Sequence, residues 1–235
     1  MVSGKRILFI AAEPREFDGL LRLCSAVERL RWPVDWARRA GLRGYQVWMA
    51  ANGAGAERAA RATEAGLVKA APEAVVSLGF CGALDPALAV GDIFAGTEVR
   101  SVFGRIEART PDCPRRFTSG PLLTHDRIAA TAAEKSRLRT TGASAVEMEA
   151  AGVGERALAW GVPFFCIRAV TDLAGESFAL DFNSALRADG HFDTMHILRA
   201  LLRRPSVSLP ELVRLRNRCR QAAFNLGEFI ADSRF

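Results

Sequence analysis

The chain has 235 residues, 49% of them apolar, and a formal net charge of +6. That apolar content suffices for one large core, yet no stretch reaches the roughly 18 to 20 uninterrupted apolar residues of a membrane-spanning helix. Five cysteines, odd in number, widely spaced and without a CxxC pair, supply neither a disulfide framework nor a zinc site, so they read as reduced cytoplasmic thiols.

Met1-Val2-Ser3-Gly4-Lys5-Arg6 lacks the apolar region and small-residue cleavage site of a signal peptide. It leads into a first strand, Arg6 to Ala11. A helix is predicted over Glu16 to Leu30, with Phe17, Leu20, Leu21, Leu23 and Val27 as its apolar stripe. Tyr45 to Ala50 reads as a second strand running into Asn52-Gly53-Ala54-Gly55 and an alanine-rich helix to about Ala70. Ala74 to Leu78 is a buried strand ending at Gly79-Phe80-Cys81-Gly82, and Asp92 to Val102 a longer, partly exposed one. Arg105 to Pro121, rich in prolines and arginines, predicts an irregular surface excursion.

Helices are predicted around Asp126 to Leu138 and from Glu149 to Trp160, with Gly161 as the stop. Val162 to Ile167 is almost wholly apolar, as a strand covered on both faces should be. The last third reads as helical, broken at Arg204-Pro205 and Leu209-Pro210. Strands alternating with helices give an α/β class, and without repeats or long linkers one domain over 1–235 is expected: a core over about 5–204 and a helical extension over about 205–235.

The chemistry concentrates in two segments, Ala145-Val146-Glu147-Met148-Glu149-Ala150-Ala151 and Phe165-Cys166-Ile167-Arg168-Ala169-Val170-Thr171-Asp172. Each places carboxylates where a hydrophobic element ends, and open α/β sheets bind ligands beyond the carboxyl ends of their strands. Two such acidic sites suit chemistry on a sugar, one carboxylate gripping hydroxyls while another donates a proton. The plainer alternatives are an N-cap or turn role for Asp172, and a first-turn role for Glu147 and Glu149, where the helix dipole favours acids. Glu147 is read as structural, pairing with Arg168. The histidines are not spaced as a ligand pair and no serine sits in a nucleophile elbow, so neither a metal site nor a serine hydrolase is expected. The C-terminal arginines, among them Arg199, Arg203, Arg204, Arg214, Arg216, Arg218 and Arg220, lack interleaved aromatics and read as a solvated face rather than a nucleic-acid groove.

Val146-Glu147-Met148-Glu149-Ala150 with Arg168-Ala169-Val170-Thr171-Asp172 resembles the two signature segments of the purine nucleoside phosphorylase and methylthioadenosine/S-adenosylhomocysteine nucleosidase superfamily. Gly79 to Leu84 with Val90-Gly91-Asp92 is similar to its glycine-rich centre, and Ile10 to Phe17 to its first strand-to-helix turn. The resemblance implies a three-layer α/β/α nucleoside phosphorylase-like fold with a mixed, mainly parallel central sheet. It implies cleavage of the N-glycosidic bond of a purine nucleoside, in a small-molecule site with no cofactor except phosphate as a possible co-substrate. Asp172 then becomes the general acid on the base. Glu149 accepts the ribose hydroxyls, an ionised carboxylate having only acceptors, and Met148 packs beneath the sugar.

Glu16 matches the residue that orients water in the nucleosidases, whereas Arg15 beside it, with the amides near Gly53, suits the phosphate of a phosphorylase. Phe80 stands where many relatives carry a small hydroxyl residue. Ile128 replaces a stacking aromatic, which leaves His125 or Phe80 to supply the ring. Asp189-Gly190-His191, Ile197 to Pro205, Leu209 to Leu215 and Gly120 to Leu123 look like hopanoid-associated phosphorylases, which implies a membrane-derived substrate and peripheral membrane contact. The family commonly forms homo-oligomers. Phosphorolysis and hydrolysis both stay open, as does a non-catalytic binding protein on the same fold.

Overall fold

The computed structural model describes residues 4–203 and 205–235. The sequence readings on Met1-Val2-Ser3, on the Arg203 side chain and on Arg204 lie outside the described part. The elements are β1 (Arg6–Ala11), a 3-10 turn (Pro14–Phe17), α1 (Asp18–Leu21), β2 (Ser25–Arg29), β3 (Trp36–Leu42), β4 (Tyr45–Ala51), α2 (Ala56–Ala70), β5 (Ala74–Ala83), β6 (Ile93–Ser101), β7 (Gly104–Glu107), β8 (Thr118–Thr124), α3 (Ala132–Arg139), β9 (Ala145–Glu147), α4 (Ala150–Ala159), β10 (Phe164–Asp172), α5 (Phe182–Ala185), α6 (Thr194–Arg203) and α7 (Pro205–Asp232).

The middle of the sheet is parallel: β4, β1, β5 and β10 lie side by side in that order. Antiparallel β3 and β2 extend it beyond β4. At the other end β10 pairs with β6, β6 with β8, β8 with β9, and β9 with β5. Five strands thus close on themselves, which removes exposed edges where the acidic segments sit. The result is a mixed central sheet between two helical layers. Along β1, Leu8 and Ile10 face the core shared with α2 and α4, while Ile7 and Phe9 face Phe17, Leu20, Leu226 and Phe229. Alternate side chains of a strand point to opposite faces, so an unbroken apolar run feeds both layers.

Four sequence expectations need correction. The helix predicted over Glu16 to Leu30 ends at Leu21, and Ser25–Arg29 is instead an exposed edge strand paired with β3. The apolar spacing was misleading because Val27 contributes to no buried face; it is 45% exposed. Arg105 to Pro121 is only partly irregular, since β7 and the start of β8 fall within it. The helix read from Asp126 begins at Ala132, where the Thr131 side chain accepts the Glu134 N–H. No break occurs at Leu209-Pro210. The helix runs through Pro210, losing one backbone hydrogen bond, while Ser208 and Glu211 beside it are buried.

Residues beyond 205, read as an extension, supply much of one layer. Ala222, Ala223, Leu226, Phe229 and Ile230 of α7 are buried. Backbone meets backbone at Gly19 and Gly227, where an added Cβ would lie 2.0 Å from the Ala223 carbonyl oxygen and 2.2 Å from the Gly19 carbonyl carbon. Neither neighbour is a flexible tip. No described helix is long and apolar enough to cross a membrane.

Gly227→Val is therefore expected to lower stability by about 1–3 kcal/mol or more, the ordinary cost of overpacking. Urea unfolding reads this directly, and an unchanged midpoint would show that α7 does not need its close seat on α1.

Candidate active site

A cavity of about 940 Å³ opens where β1, β5, β9 and β10 end. Its floor is organised around Arg168, which is fully buried in β10 opposite Gly79 of β5. One guanidinium nitrogen donates to the Ser77 and Ile167 carbonyls at 2.7 and 3.0 Å. The other donates to Ser77 Oγ at 2.7 Å and to Glu147 Oε2 at 2.5 Å. Both side chains of this ion pair are 1% exposed. Glu147 Oε2 also accepts the Glu149 and Ala150 amides, each at 2.9 Å, which caps the start of α4. Thr124 Oγ1 donates to Oε1 of the same residue and accepts the Ala151 amide. Glu147 thus locks the strand-to-helix turn and leaves the neighbouring Glu149 facing the cavity.

Glu16 comes from the 3-10 turn after β1. Its two oxygens accept the Glu13 and Phe80 amides at 2.8 and 3.0 Å. Burial pushes its carboxyl above the ordinary range, against the opposing pull of those bonds, Arg168 and Arg15. Glu149 Oε1 accepts the Gly55 amide at 3.0 Å. Burial, then Glu147 and Glu16, pushes the Glu149 carboxyl up to about 8. Asp172, at the end of β10, takes the Thr171 hydroxyl on Oδ1 at 3.0 Å and the Lys135 ammonium on Oδ2. Burial raises its carboxyl too, with Lys135 pulling the other way. Two glycines make room for these acids. A Cβ at Gly79 would lie 2.6 Å from Glu16 Oε1, and one at Gly82 would lie 2.7 Å from Asp172 Oδ2.

Of the residues singled out from sequence, Asp172, Glu16, Glu149, Met148, Phe80, Ile128 and Arg15 all line this cavity. His125 is not in its wall; the ring lies 3.4 Å from Asp126 and the backbone amide donates to Glu147. Gly53 is also outside the wall. The amides of Gly53, Ala54 and Gly55 donate to Ala12, Gly190 and Glu149, so this loop presents bonded amides rather than an open anion cradle.

Sequence reasoning missed two features. The first is Lys135. The second is an apolar wall formed by Phe178, Phe182, Phe192, Leu212, Leu215 and Phe224. The segment after Asp172 that carries the first three is tied to α7. Glu176 makes a two-bond pair with Arg218 at 2.7 and 3.0 Å, and Glu211 accepts the Ala179 and Leu180 amides at 2.9 Å. The spacing of Phe178 and Phe182, whose rings meet edge-on at 5.4 Å, was the one available sequence signal for this wall.

Breaking the central pair should be costly. Arg168→Met strands Glu147 without its cation and is expected to lower stability by roughly 3–5 kcal/mol, whereas Arg168→Met with Glu147→Leu recovers part of that. Chemical denaturation of the two variants decides it; equal losses would mean the pair is not the linchpin. Glu149 gives a pH signature. An acid whose folded pKa lies above its unfolded value binds a proton on folding, so its contribution is present at low pH and is lost as pH rises from about 4.5 towards 8. Relative to the parent, Glu149→Gln should gain thermal stability at about pH 8.5 and much less at about pH 5. A difference independent of pH would refute this.

A family model described as the phosphorylase superfamily matches residues 6–122 and 105–202. Curated relatives include a 5′-methylthioadenosine/S-adenosylhomocysteine nucleosidase of Anoxybacillus flavithermus (strain DSM 21510 / WK1), 30% identical over 176 residues that cover 62% of this chain and 76% of the relative. The Staphylococcus aureus (strain JH9) protein of the same name is 26% identical over 174 residues, with the same coverage. Among solved structures, the Neisseria meningitidis nucleosidase in complex with methylthio-immucillin-A aligns with TM-score 0.74 at 21% identity, covering 97% of each chain. Futalosine hydrolase of Helicobacter pylori aligns with TM-score 0.72 at 15% identity, covering 96% of this chain and 95% of that one. With its strand-end carboxylates set in this fold, the chain belongs to the phosphorylase superfamily, as an enzyme of N-glycosidic bond cleavage.

Proposed function

We propose that the enzyme hydrolyses the N-glycosidic bond of a purine, adenosine-type nucleoside whose 5′ position carries an apolar group. The observation that carries this is the convergence of Asp172, Glu149 and Glu16 on one cavity. Breaking such a bond builds positive charge on the sugar and negative charge on the departing base. Asp172 protonates the base, the raised carboxyl that burial gives it being suited to an acid. Glu149 takes the ribose hydroxyls above Met148, and the growing sugar cation favours its ionised form. Glu16 orients the attacking water and accepts its proton. Phe80 and Ile128 pack against the base.

Two features favour water over phosphate as nucleophile. Glu16, held by the Glu13 and Phe80 amides, lines the cavity as a group that can orient a water and take its proton. The Gly53 to Gly55 amides are already bonded. The arginines of the cavity favour phosphorolysis: Arg15, whose nearest acid is Glu13 at 3.9 Å, lines it together with Arg22, Arg127, Arg216 and Arg220. The apolar wall supports an apolar 5′ substituent, the kind of substrate that the resemblance to hopanoid-associated proteins implies. In this reading the enzyme is cytoplasmic, works as a homo-oligomer and needs no metal or other cofactor.

The test is to incubate pure protein with adenosine, inosine, methylthioadenosine and an alkyl-adenosine, with and without phosphate, and to identify the sugar product. Free sugar without phosphate, fastest from the alkyl-adenosine, is expected, with Asp172→Asn at least about 100-fold slower as befits loss of a general acid. Ribose 1-phosphate would overturn hydrolysis. Release of no base from any substrate would overturn catalysis in favour of a binding role.

A further inference from the structure

Lys135 belongs to α3, a helix otherwise rich in exposed polar side chains, yet it is 1% exposed. Its ammonium donates to Asp172 Oδ2 and, at 2.7 Å, to the Leu173 carbonyl, and it lies 5.4 Å from the centre of the Phe178 ring. It is not part of the cavity wall, so substrate meets Asp172 and Asp172 meets Lys135. Burying an ammonium is costly unless it is paired and hydrogen-bonded, which this one is.

That arrangement bears on the acid. Burial favours a proton on Asp172 while the ammonium beside it opposes one, so the acid depends on a source that reloads it. Of the two side chains that donate to Asp172, the Thr171 hydroxyl is far too weak an acid to supply that proton, and Lys135 is the other. We infer that Lys135 is the positioning residue and proton reservoir behind Asp172, so that the buried pair, rather than Asp172 alone, protonates the departing base. The inference rests on the proposed N-glycosidic cleavage.

The step balances as follows. The Lys135 ammonium passes one proton to Asp172, and the Asp172 carboxyl passes one to the base. The bond between sugar and base breaks with its electron pair going to the base. Water forms the new bond to the sugar carbon and gives its proton to Glu16. Lys135, left neutral, regains a proton by way of Asp172, which faces the cavity, as Glu16 sheds one to solvent. Other titratable groups near the pair are already engaged or neutral. Glu176 and Arg218 pair with each other, Glu134 holds Arg127 at 2.8 Å, and burial keeps the Cys81 and Cys219 thiols protonated, Cys219 up to about 11.

The experiment follows base release from an adenosine-type nucleoside against pH for the parent, Lys135→Met and Lys135→Arg. Lys135→Met should cut kcat by roughly 100-fold or more, within the range for a lost general acid, while KM changes less than about threefold. Its alkaline limb should move, because the proton then comes from a carboxyl with no ammonium behind it. Lys135→Arg keeps the charge but offers no proton in the working range, and should not restore kcat. This second variant also covers the case in which the apolar replacement misfolds; thermal melts and adenine binding confirm that each variant is folded. Full activity in Lys135→Arg, or an alkaline limb unmoved in a folded Lys135→Met, overturns the inference and leaves the function standing. A parent protein that releases no base overturns both.

Discussion

A guanidinium with no access to water sits under this site, and the arrangement above it depends on that charge. Arg168 is held by two backbone carbonyls, a serine hydroxyl and one carboxylate. In a low-dielectric interior such a charge persists only with matched partners. The partner chosen, Glu147, is also the cap of α4, so one ion pair fixes the direction in which the chain leaves β9. That direction decides where Glu149 points. Glu16 lies within the same field from the opposite side, bonded to the amide of Phe80 one residue past Gly79. Arg168 therefore acts as a post that ties β5 at Ser77 to the start of α4 through Glu147, while Glu16 ties the turn after β1 to β5 at Phe80.

The rest of the cavity is built by a different principle. Asp172 ends β10, paired with Gly82 of β5, and the segment after it lines the cavity. It is held by polar clamps onto α7, Glu176 with Arg218 and Glu211 with two amides, and by bonds to residues 128–135, among them Asn183 with Ile128. The buried half of α7, seated on α1 at Gly19 and Gly227, anchors those clamps. The floor is thus fixed by the sheet, whereas the apolar wall depends on how α7 seats.

Much of this was legible from sequence because buried parallel strands write themselves as apolar runs, and their ends are marked by small and acidic residues. Ala74 to Gly82 and Phe165 to Asp172 are such cases, and the strands and the acids at their ends follow directly. The reading failed where tertiary pairing overrode a local pattern. Leu20, Leu21, Leu23 and Val27 have helical spacing, but pairing with β3 turns Ser25–Arg29 into an edge strand. It also failed where a polar residue turns inward. Lys135 lies between Glu134 and Ser136 in a stretch that reads as a solvated helix, and only the approach of β10 shows that its charge answers Asp172. His125 failed for the converse reason: its nearness in sequence to Ile128, which lines the cavity, does not fix which way the ring turns.

Charge accounting ties the floor to the chemistry. Around Arg168 stand Glu16, Glu147 and Glu149, three carboxylates for one guanidinium. Glu147 takes the guanidinium directly. Burial raises the carboxyls of the other two, against the pull of Arg168, and Glu149 is raised further by Glu147 and Glu16. A neutral sugar entering the cavity does nothing to relieve this. In the proposed cleavage a sugar that is losing its base does, because the positive charge developing on it favours the ionised forms of the acids beside it. The stabilisation is greatest at the transition state and small in the ground state, which is the condition for an interaction to accelerate a reaction rather than only tighten binding. The buried arginine, by satisfying one acid and not three, leaves the site complementary to a cation that exists only while the bond is breaking.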